Sequence, residues 1–254
     1  MQNERFFSVI LNTYNNQSSV VNTLNSVLKQ SYKNFELIIV DDHSADKTLK
    51  LIKDNTIKLT IPVKIISLTR NHGVAYARNI GVENASGKFI AFIDGDDIWN
   101  KDKLEIQHNF IIKKKARWVF SNYSVINNKY KQIGKRLRET GIYNYKKIIS
   151  NGNPVGMLTV VIEANILRKN PFRKVKHEDY DLWIRLSKKG ILGYLISDNL
   201  AKYMKHSKSI SSNKLASMKW TYGVFRINNL SMSYSLFLTI KYIVNYFRRK
   251  KYMR

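Results

Sequence analysis

Short apolar runs rich in β-forming residues alternate with segments of helical spacing along the first 97 residues. Residues 6–11 form the first run, a polar loop follows, and apolar residues then recur at helical spacing over 20–28. The strand signal returns at residues 35–40, 63–68 and 89–93. Strands that alternate with helices in this way predict an α/β fold in which a central, mostly parallel sheet is flanked by helices.

The pattern beyond residue 98 is less regular. Residues 101–112 and 180–188 have the spacing of helices, and residues 118–122 and 158–162 have the composition of strands. A chain of 254 residues can bury one large core. We therefore expect a single Rossmann-like domain with an appended tail.

The expected domain covers residues 1–215, with a nucleotide-binding half over 1–97 and an acceptor half over 98–215. Residues 216–254 form the expected tail, which is helical, basic and amphipathic. Within it, residues 234–247 are rich in Leu, Ile, Val and aromatic side chains, and the following residues 248–254 are mostly Arg and Lys. Such a helix can lie on an anionic membrane leaflet, although a packed helix with a solvated basic end explains the pattern equally well.

Polar clusters follow each of the four strands predicted in the first half. They occupy residues 12–15, 41–44, 70–78 and 94–97. Ligands of open α/β sheets bind outside the carboxyl ends of the strands, where loops converge. One polar loop is unremarkable, but four at the same edge predict a binding site.

The segment Asp94, Gly95, Asp96, Asp97 places three carboxylates within four residues. Such carboxylates repel one another unless a positive charge lies among them, and oxygen ligands suit Mg²⁺ or Mn²⁺ shared with substrate phosphates. The alternative is a solvated acidic turn.

Other charged residues near the strand ends allow two interpretations. Asp41 and Asp42 can accept hydrogen bonds from a nucleoside, or they can cap a helix. Arg78 can pair with a base or a phosphate, or form an ordinary surface salt bridge.

Composition and charge narrow the class of protein. The absence of cysteine excludes disulfides and thiolate metal sites, and the sequence shows no signal peptide, so we expect a cytoplasmic protein. The net charge of +26 lies almost entirely in the second half, because residues 1–97 contain 11 Lys and Arg against 10 Asp and Glu. Such a field favours a phosphate-bearing substrate, an anionic membrane or nucleic acid.

Several motifs together resemble glycosyltransferase family 2. They are the runs SVILNTYNN, LNSVLKQSYKNFELIIVDDHSADKT, NHGVAYARNIGVENASGKFIAFIDGDD and HEDYDLWIRLSKKG, which cover residues 6 to about 190 in order. The resemblance implies a GT-A fold and an inverting enzyme that transfers a sugar from a UDP-sugar to an acceptor hydroxyl. It further implies a lipid-linked saccharide acceptor in lipopolysaccharide, O-antigen or capsule synthesis, at the cytoplasmic face of the inner membrane.

The resemblance also assigns roles to individual residues. With the neighbouring acidic groups, the expected nucleotide-sugar pocket comprises Asn12, Tyr14, Asp41, Asp42, Arg78, Asp94 and Asp96. The expected ligands of Mn²⁺ or Mg²⁺ are Asp97, Asp96 and His206. The expected acceptor residues are Glu178, Trp183 and Arg185.

Asp179 matches the family position of the catalytic base. An inverting displacement requires one carboxylate to take the proton of the attacking hydroxyl, while a metal-bound diphosphate already leaves readily. Without the resemblance, Glu178 and Asp179 would be interpreted as an acidic first turn of a helix, which the helix dipole favours.

Two other classes fit part of the sequence. A nucleic-acid-binding protein would use the positive charge, but the chain lacks a finger or RNP-like motif. A nucleotidyltransferase would also need a metal and a nucleotide-binding sheet, but the loop after the first strand has no glycine.

Overall fold

A computed structural model describes residues 5–57, 59–150, 152–206 and 214–251, with side chains omitted for residues 214 and 245–251. The side chains of the basic cluster predicted at residues 248–254 therefore lie outside the described part.

The observed elements alternate as the sequence predicts in the first half. The strands are β1 Phe7–Thr13, β2 Phe35–Asp41, β3 Val63–Ser67, β4 Phe89–Asp94, β5 Ile98–Trp99, β6 Trp118–Ile126, β7 Gln132–Arg136, β8 Gly141–Tyr143, β9 Val161–Glu163 and β10 Gly193–Met204. The helices are α1 Val20–Leu28, α2 Thr48–Thr56, α3 Val74–Glu83, α4 Lys103–Lys114, α5 Tyr145–Ser150, α6 Ala164–Lys169, α7 Glu178–Lys188, α8 Lys214–Ile227 and α9 Met232–Lys251.

All strands join one sheet in the order β3-β2-β1-β4-β9-β6-β10-β5, with β7 beside β6 and β8 beside β10. The strands β3, β2, β1 and β4 are parallel. Their carboxyl ends therefore meet at one edge of the sheet, as the polar clusters predict. This confirms the predicted α/β class for the first half.

The second half of the sheet is mixed. β9 runs antiparallel to both β4 and β6, while β10 is parallel to β6 and antiparallel to β5. The strand predicted at residues 158–162 is wrong in its first part, because Met157–Thr159 forms a 3₁₀ turn and the strand begins at Val161. That turn packs against β4, β6 and β10.

Two apolar layers cover the two faces of the sheet. Alternation along β1 sends Phe7, Val9 and Leu11 to one layer with α1 and α4, and Ile10 to the other. The second layer also contains side chains of α7, with Trp183 stacked on Trp118 at a ring distance of 5.0 Å. The sheet is therefore held rigidly between helices, which fixes its loop-bearing edge.

The segment predicted as an appended tail packs partly on this body. Val224 and Phe225 of α8, Leu230 of the following turn and Leu238 of α9 belong to the same apolar layer as α7. A side chain at Gly152 would overlap the ring of Tyr242, which shows how closely α9 approaches the body. Within the described residues, no helix has the length and apolar character needed to cross a membrane.

Candidate active site

The parallel register places the predicted polar residues side by side. Asn12 lies opposite Asp94 across β1 and β4, and Thr13 lies opposite Asp41 across β1 and β2. The sheet thus collects residues that are about 80 positions apart in the chain into one cleft, with α7 closing its other side.

Asn12 is the clearest candidate for a ligand contact in this cleft. Its side chain is buried, and neither its Oδ1 nor its Nδ2 has a hydrogen-bond partner. An unpaired buried amide costs free energy, so its donor and acceptor are free for a polar ligand. Tyr14 lies two residues further on, with 48% of its surface exposed at the rim.

The carboxylates that follow β2 already hold the surrounding loops. Ser44 donates its hydroxyl and its N–H to Asp41, at 2.5 Å and 3.1 Å. The N–H groups of His72 and Gly73 each donate to Asp42 at 2.8 Å, just before α3 begins. Each carboxylate oxygen has two acceptor positions, so both residues can shape the pocket and still accept a bond from a ligand.

Gly95 is required by the protein itself rather than by a ligand. A Cβ at this position would lie 2.7 Å from both Asn16 Oδ1 and Thr13 Oγ1. Ser19 also donates its hydroxyl to the Gly95 carbonyl at 2.9 Å. The acidic turn, residues 94–97, is therefore packed tightly against the loop that follows β1.

Arg78 does not line the nucleoside pocket as the sequence predicted. Its side chain is only 4% exposed, and it pairs with both oxygens of Asp94 at 3.1 Å and with Glu178 at 2.6 Å. The charges of these two carboxylates raise the pKa of Arg78 despite its burial. Arg78 instead ties the acidic turn after β4 to the start of α7.

Asp96 and Asp97, both expected as metal ligands, differ in their accessibility. Asp97 is buried and accepts a hydrogen bond from the N–H of Met204 at 2.9 Å, so it anchors the end of β10. Asp96 lies 2.8 Å from His206 Nε2, and both side chains reach solvent. Asp96 and His206 therefore form the protein's accessible pair of metal-type ligands, whereas Asp97 lies beneath them.

Burial and mutual repulsion dominate the electrostatics of this turn. Burial, and then the charges of Asp96 and Asp94, raise the pKa of Asp97 well above its usual value. Burial and the charge of Asp94 also raise the pKa of Asp96, while the hydrogen bond and charge of His206 lower it. A cation at this position would relieve the repulsion.

The residues present fit a hard divalent cation that is shared with a substrate. No group of three or more His, Asp or Glu side chains in the described ranges is arranged to hold a metal ion. Asp96 and His206 supply an oxygen and a nitrogen, and Mn²⁺ or Mg²⁺ commonly completes its shell with phosphate oxygens and water.

Asp179 lies in the first turn of α7, on the side of the cleft facing the acidic turn. Burial, followed by the charge of Glu178, raises its pKa to about 7, against the opposing effects of Arg78, the Tyr180 N–H and the Asn153 amide. Asn153 donates to Asp179 at 2.7 Å. A carboxyl that titrates near neutral pH can take a proton from a hydroxyl and later release it.

Two of the expected acceptor residues lie elsewhere. Trp183 is fully buried against Trp118, so it supports the core and contacts no cleft. Arg185 pairs with Asp181 at 2.9 Å and donates to the carbonyl of Pro171 at 2.7 Å, at the far end of α7. Arg185 is six residues after Asp179, so its side chain lies on a different face of α7, whereas Trp183 shares the face of Asp179 one turn further on and is buried in the core. Glu178 does lie at the cleft, 16% exposed and bound to Arg78.

Sequence reasoning missed two residues of this cleft. Asn153 follows α5 in a loop with no recognisable motif, and only its bond to Asp179 reveals it. Tyr123 lies on β6, where a tyrosine is expected for packing, but the charges of both Asp97 and Asp179 raise its pKa along with burial. Its ring would contact a side chain at Gly156. No sequence signal separates either residue from an ordinary structural one.

The arrangement of a parallel nucleotide-type sheet, an acidic turn and an opposing base defines a nucleotide-dependent group transferase. Comparisons with known proteins agree with this class. The family model described as Glycosyl transferase family 2 matches residues 8–176. The chain belongs to this family, which confirms the predicted glycosyltransferase.

A relative from Escherichia coli is UDP-Glc:alpha-D-GlcNAc-diphosphoundecaprenol beta-1,3-glucosyltransferase WfgD, 36% identical over 93% of this chain and 92% of its own length. A solved structure of S. aureus TarS, residues 1–349 with UDP-GlcNAc, superposes with a TM-score of 0.74 at 23% identity, over 96% of this chain and 73% of that chain.

The mannosyltransferase PcManGT from Pyrobaculum calidifontis, solved with GDP-Man and Mn²⁺, superposes with a TM-score of 0.69 at 13% identity, over 94% of this chain and 73% of its own. At these low identities both likenesses concern the fold. They confirm the GT-A fold that the sequence motifs implied.

Proposed function

We propose that this glycosyltransferase moves a hexosyl or N-acetylhexosaminyl group from a UDP-sugar to a hydroxyl of a lipid-linked saccharide, with inversion at the anomeric carbon. The observation that carries the proposal is the composition of one cleft. On one side lie the acidic turn and the Asn12 amide, which has no hydrogen-bond partner, and on the other side lies Asp179. The WfgD relative acts on a UDP-sugar and a diphosphate-linked acceptor, by its name.

The reaction follows from the positions of these groups. The acceptor oxygen attacks the anomeric carbon as the bond from that carbon to the diphosphate oxygen breaks, and UDP leaves with the bonding electrons. Asp179 takes the proton of the attacking hydroxyl, for which it must be ionised. The Asn153 amide and Tyr180 N–H orient its two oxygens.

Donor binding is assigned to the other side of the cleft. The amide of Asn12 supplies a donor and an acceptor to the nucleoside, Tyr14 covers it, and Asp41 and Asp42 fix the walls of the pocket. When bound, Mn²⁺ or Mg²⁺ would neutralise charge that develops on the leaving diphosphate. Asp96 and His206 would hold it, and Asp97 would position the strand end from which His206 extends.

An anionic acceptor has a candidate contact in the second half. The Nε and Nη2 atoms of Arg138 are buried and have no partner, and its backbone N–H donates to Asn122 at 2.7 Å. Asn122 precedes Tyr123, whose pKa responds to Asp179. Buried N–H groups without an acceptor are costly, so an acceptor phosphate at Arg138 would satisfy these two nitrogens.

A lipid-linked acceptor would bring the enzyme to a membrane. We propose that it works as a peripheral protein at the cytoplasmic face, in the synthesis of a surface polysaccharide such as lipopolysaccharide O-antigen or capsule. The support is the basic second half of the chain and the lipid-linked acceptor in the name of WfgD.

The proposal is tested by a thermal shift with UDP and Mn²⁺, followed by a screen of radiolabelled UDP-sugars against saccharides on lipid diphosphate. Binding of UDP only with the metal, and transfer from at least one UDP-sugar, are expected. A chain that ignores UDP with metal, and is instead stabilised by single-stranded nucleic acid, would favour the nucleic-acid-binding alternative.

A further inference from the structure

Helix α9 packs on the body along one side and leaves several large apolar side chains exposed on the other. Ser235 and Thr239 are buried together with Leu238. The outward apolar side chains are between 44% and 70% exposed: Met232, Tyr234, Leu236, Phe237, Ile240 and Val244. We call this set the α9 face. A helix that simply covers a core would instead leave mainly polar side chains exposed.

An apolar surface of this kind requires an apolar occupant. Soluble proteins expose single large apolar side chains freely, but a contiguous row of them marks a site of contact with protein or lipid. Tyr234 and Phe237 already stack on each other at a ring distance of 6.2 Å. The α9 face is therefore a docking surface, and the surrounding charges indicate what it meets.

A cationic cavity lies at the turn that leads into α9. Its volume is about 460 Å³, and five of its lining residues are positively charged: Lys169, Arg173, Arg185, Lys188 and Lys189. We call it the basic pocket. Asp181 is buried and pairs with Arg185 and Arg173. The three lysines form no ion pair with a carboxylate in the described parts of the chain, so the pocket retains several positive charges.

The basic pocket and the α9 face meet at the turn between α8 and α9. Ile227, Asn228 and Asn229 line the pocket, and α9 begins at Met232. Lys188 donates to the carbonyl of Asn228 at 3.3 Å, which ties the end of α7 to this turn. Positive charge and exposed apolar surface are thus neighbours.

We propose that the α9 face and the basic pocket together form a surface that docks on an anionic phospholipid bilayer. Head-group phosphates would occupy the pocket, while the apolar side chains of α9 enter the interfacial layer. This inference rests on the proposed function for its purpose, because a lipid-linked acceptor lies at such a surface.

Charge favours a bilayer over a second copy of the chain. The chain has no Asp or Glu after residue 198, whereas the same stretch contains 12 Lys and Arg. Two such surfaces would repel each other, since each chain carries a net charge of +26. An anionic leaflet supplies both the apolar interior and the opposite charge.

The proposed surface would also fix the distance between Asp179 and the bilayer. Lys188 and Asp179 lie near opposite ends of α7, nine residues apart, which corresponds to about 13 Å of helix. Docking at the Lys188 end would hold Asp179 at a fixed short distance from the leaflet.

The test is sedimentation of the full chain with vesicles of phosphatidylglycerol or of phosphatidylcholine. We expect strong, salt-sensitive binding to phosphatidylglycerol alone. The double substitution L236S with F237S should weaken it about tenfold or more, because two exposed apolar side chains are lost. The pair K188Q with K189Q should weaken it about fivefold for each charge removed.

Matched controls lie on the opposite half of the chain. Ile57→Ser removes an apolar side chain that is 82% exposed, and K50Q with K53Q removes two exposed charges from α2. Both should bind vesicles as the wild type does. Equal binding to both lipids, or wild-type binding by both docking variants, would overturn the proposal. So would a dimer, detected without lipid, that L236S with F237S abolishes.

Transfer to a short-chain, water-soluble acceptor is measured in parallel. The docking variants should retain this transfer while losing vesicle binding. Absence of transfer in the wild type, with vesicle binding intact, would refute the proposed function and leave the docking surface standing.

Discussion

The two halves of the cleft are built on different principles. On the donor side, four parallel strands end at one edge, and the polar residues lie at the last positions of these strands or in the loops that follow. On the acceptor side, residues come from loops, from the first turn of α7 and from β10, whose pairing with β6 shifts register between Ile196 and Ala201. The donor side is a regular scaffold, and the acceptor side is assembled from unrelated segments.

Three contacts hold the halves together. Arg78 connects Asp94 to Glu178, Asp97 accepts from Met204, and Asp96 meets His206. Each contact uses a carboxylate of the acidic turn. The acidic turn therefore connects the two sides of the cleft in addition to its proposed role in binding. Substitutions in the turn should alter the positions of residues on both sides of the cleft.

The largest effect is expected for the base on the acceptor side. Asp179→Asn should lower the rate of transfer by about 10²- to 10⁴-fold, the usual contribution of a general base, while leaving UDP affinity within about twofold. Single-turnover transfer and UDP titration measure the two sides separately. Substantial transfer by the variant would remove Asp179 as the base.

Asp179→Asn should lower activity but raise the relative stability of the fold at high pH. Burial raises the folded-state pKa of Asp179 to about 7, well above the usual value of an aspartate, so its contribution to stability is full below the unfolded pKa and is lost progressively as pH rises from there to about 7. Asp179→Asn cannot ionise, so its Tm relative to the wild type should be higher at pH 8 than at pH 5. The same difference in Tm at both pH values would contradict this account of burial.

The next largest effect is expected for Arg78, which connects the two sides of the cleft. Arg78→Met should destabilise the fold by about 3–5 kcal/mol, because it leaves two carboxylates without their buried cation. Chemical denaturation measures the loss. Arg117→Met is the control, since Arg117 forms an ion pair with Glu163 on an exposed side chain and should matter little. Equal effects of the two substitutions would argue against a special role for Arg78.

The parallel strands of the first half were predictable from the sequence, whereas the contacts that connect the two sides of the cleft were not. In residues 6–94 the observed strands and helices agree closely with the predicted ones, because buried parallel strands are continuous apolar runs that are easily recognised in a sequence. Arg78 and Glu178 are 100 positions apart, and no local pattern records their contact. The same limit explains Trp183 and Arg185, which follow Asp179 on α7 by four and six residues but lie in the core and at the far end of the helix. Motif resemblance pointed to Asp179 as the candidate base, and only the packing located Asn153 and Tyr123.

Neighbouring carboxylates of the acidic turn should separate into two roles. Asp96→Asn should weaken metal-dependent UDP binding by about ten- to a hundredfold, with little effect on Tm, because its side chain faces the cleft. Asp97→Asn should change Tm more than metal affinity, since Asp97 is buried against β10. Calorimetry with Mn²⁺ and UDP distinguishes them. The reverse pattern would restore Asp97 as the principal ligand.

The smallest effect is a shift in pH dependence. Transfer requires ionised Asp179, so kcat/KM should fall as pH drops below about 7. The Asn153 amide favours the ionised form, so Asn153→Ala should raise the pKa of Asp179 and move this acidic limb to higher pH, by less than about one unit. Asn55→Ala, on exposed α2, is the control and should leave the profile unchanged. A limb that does not move with Asn153 would mean that another group sets it, and the comparison between a regular donor side and a tuned acceptor side would lose its electrostatic basis.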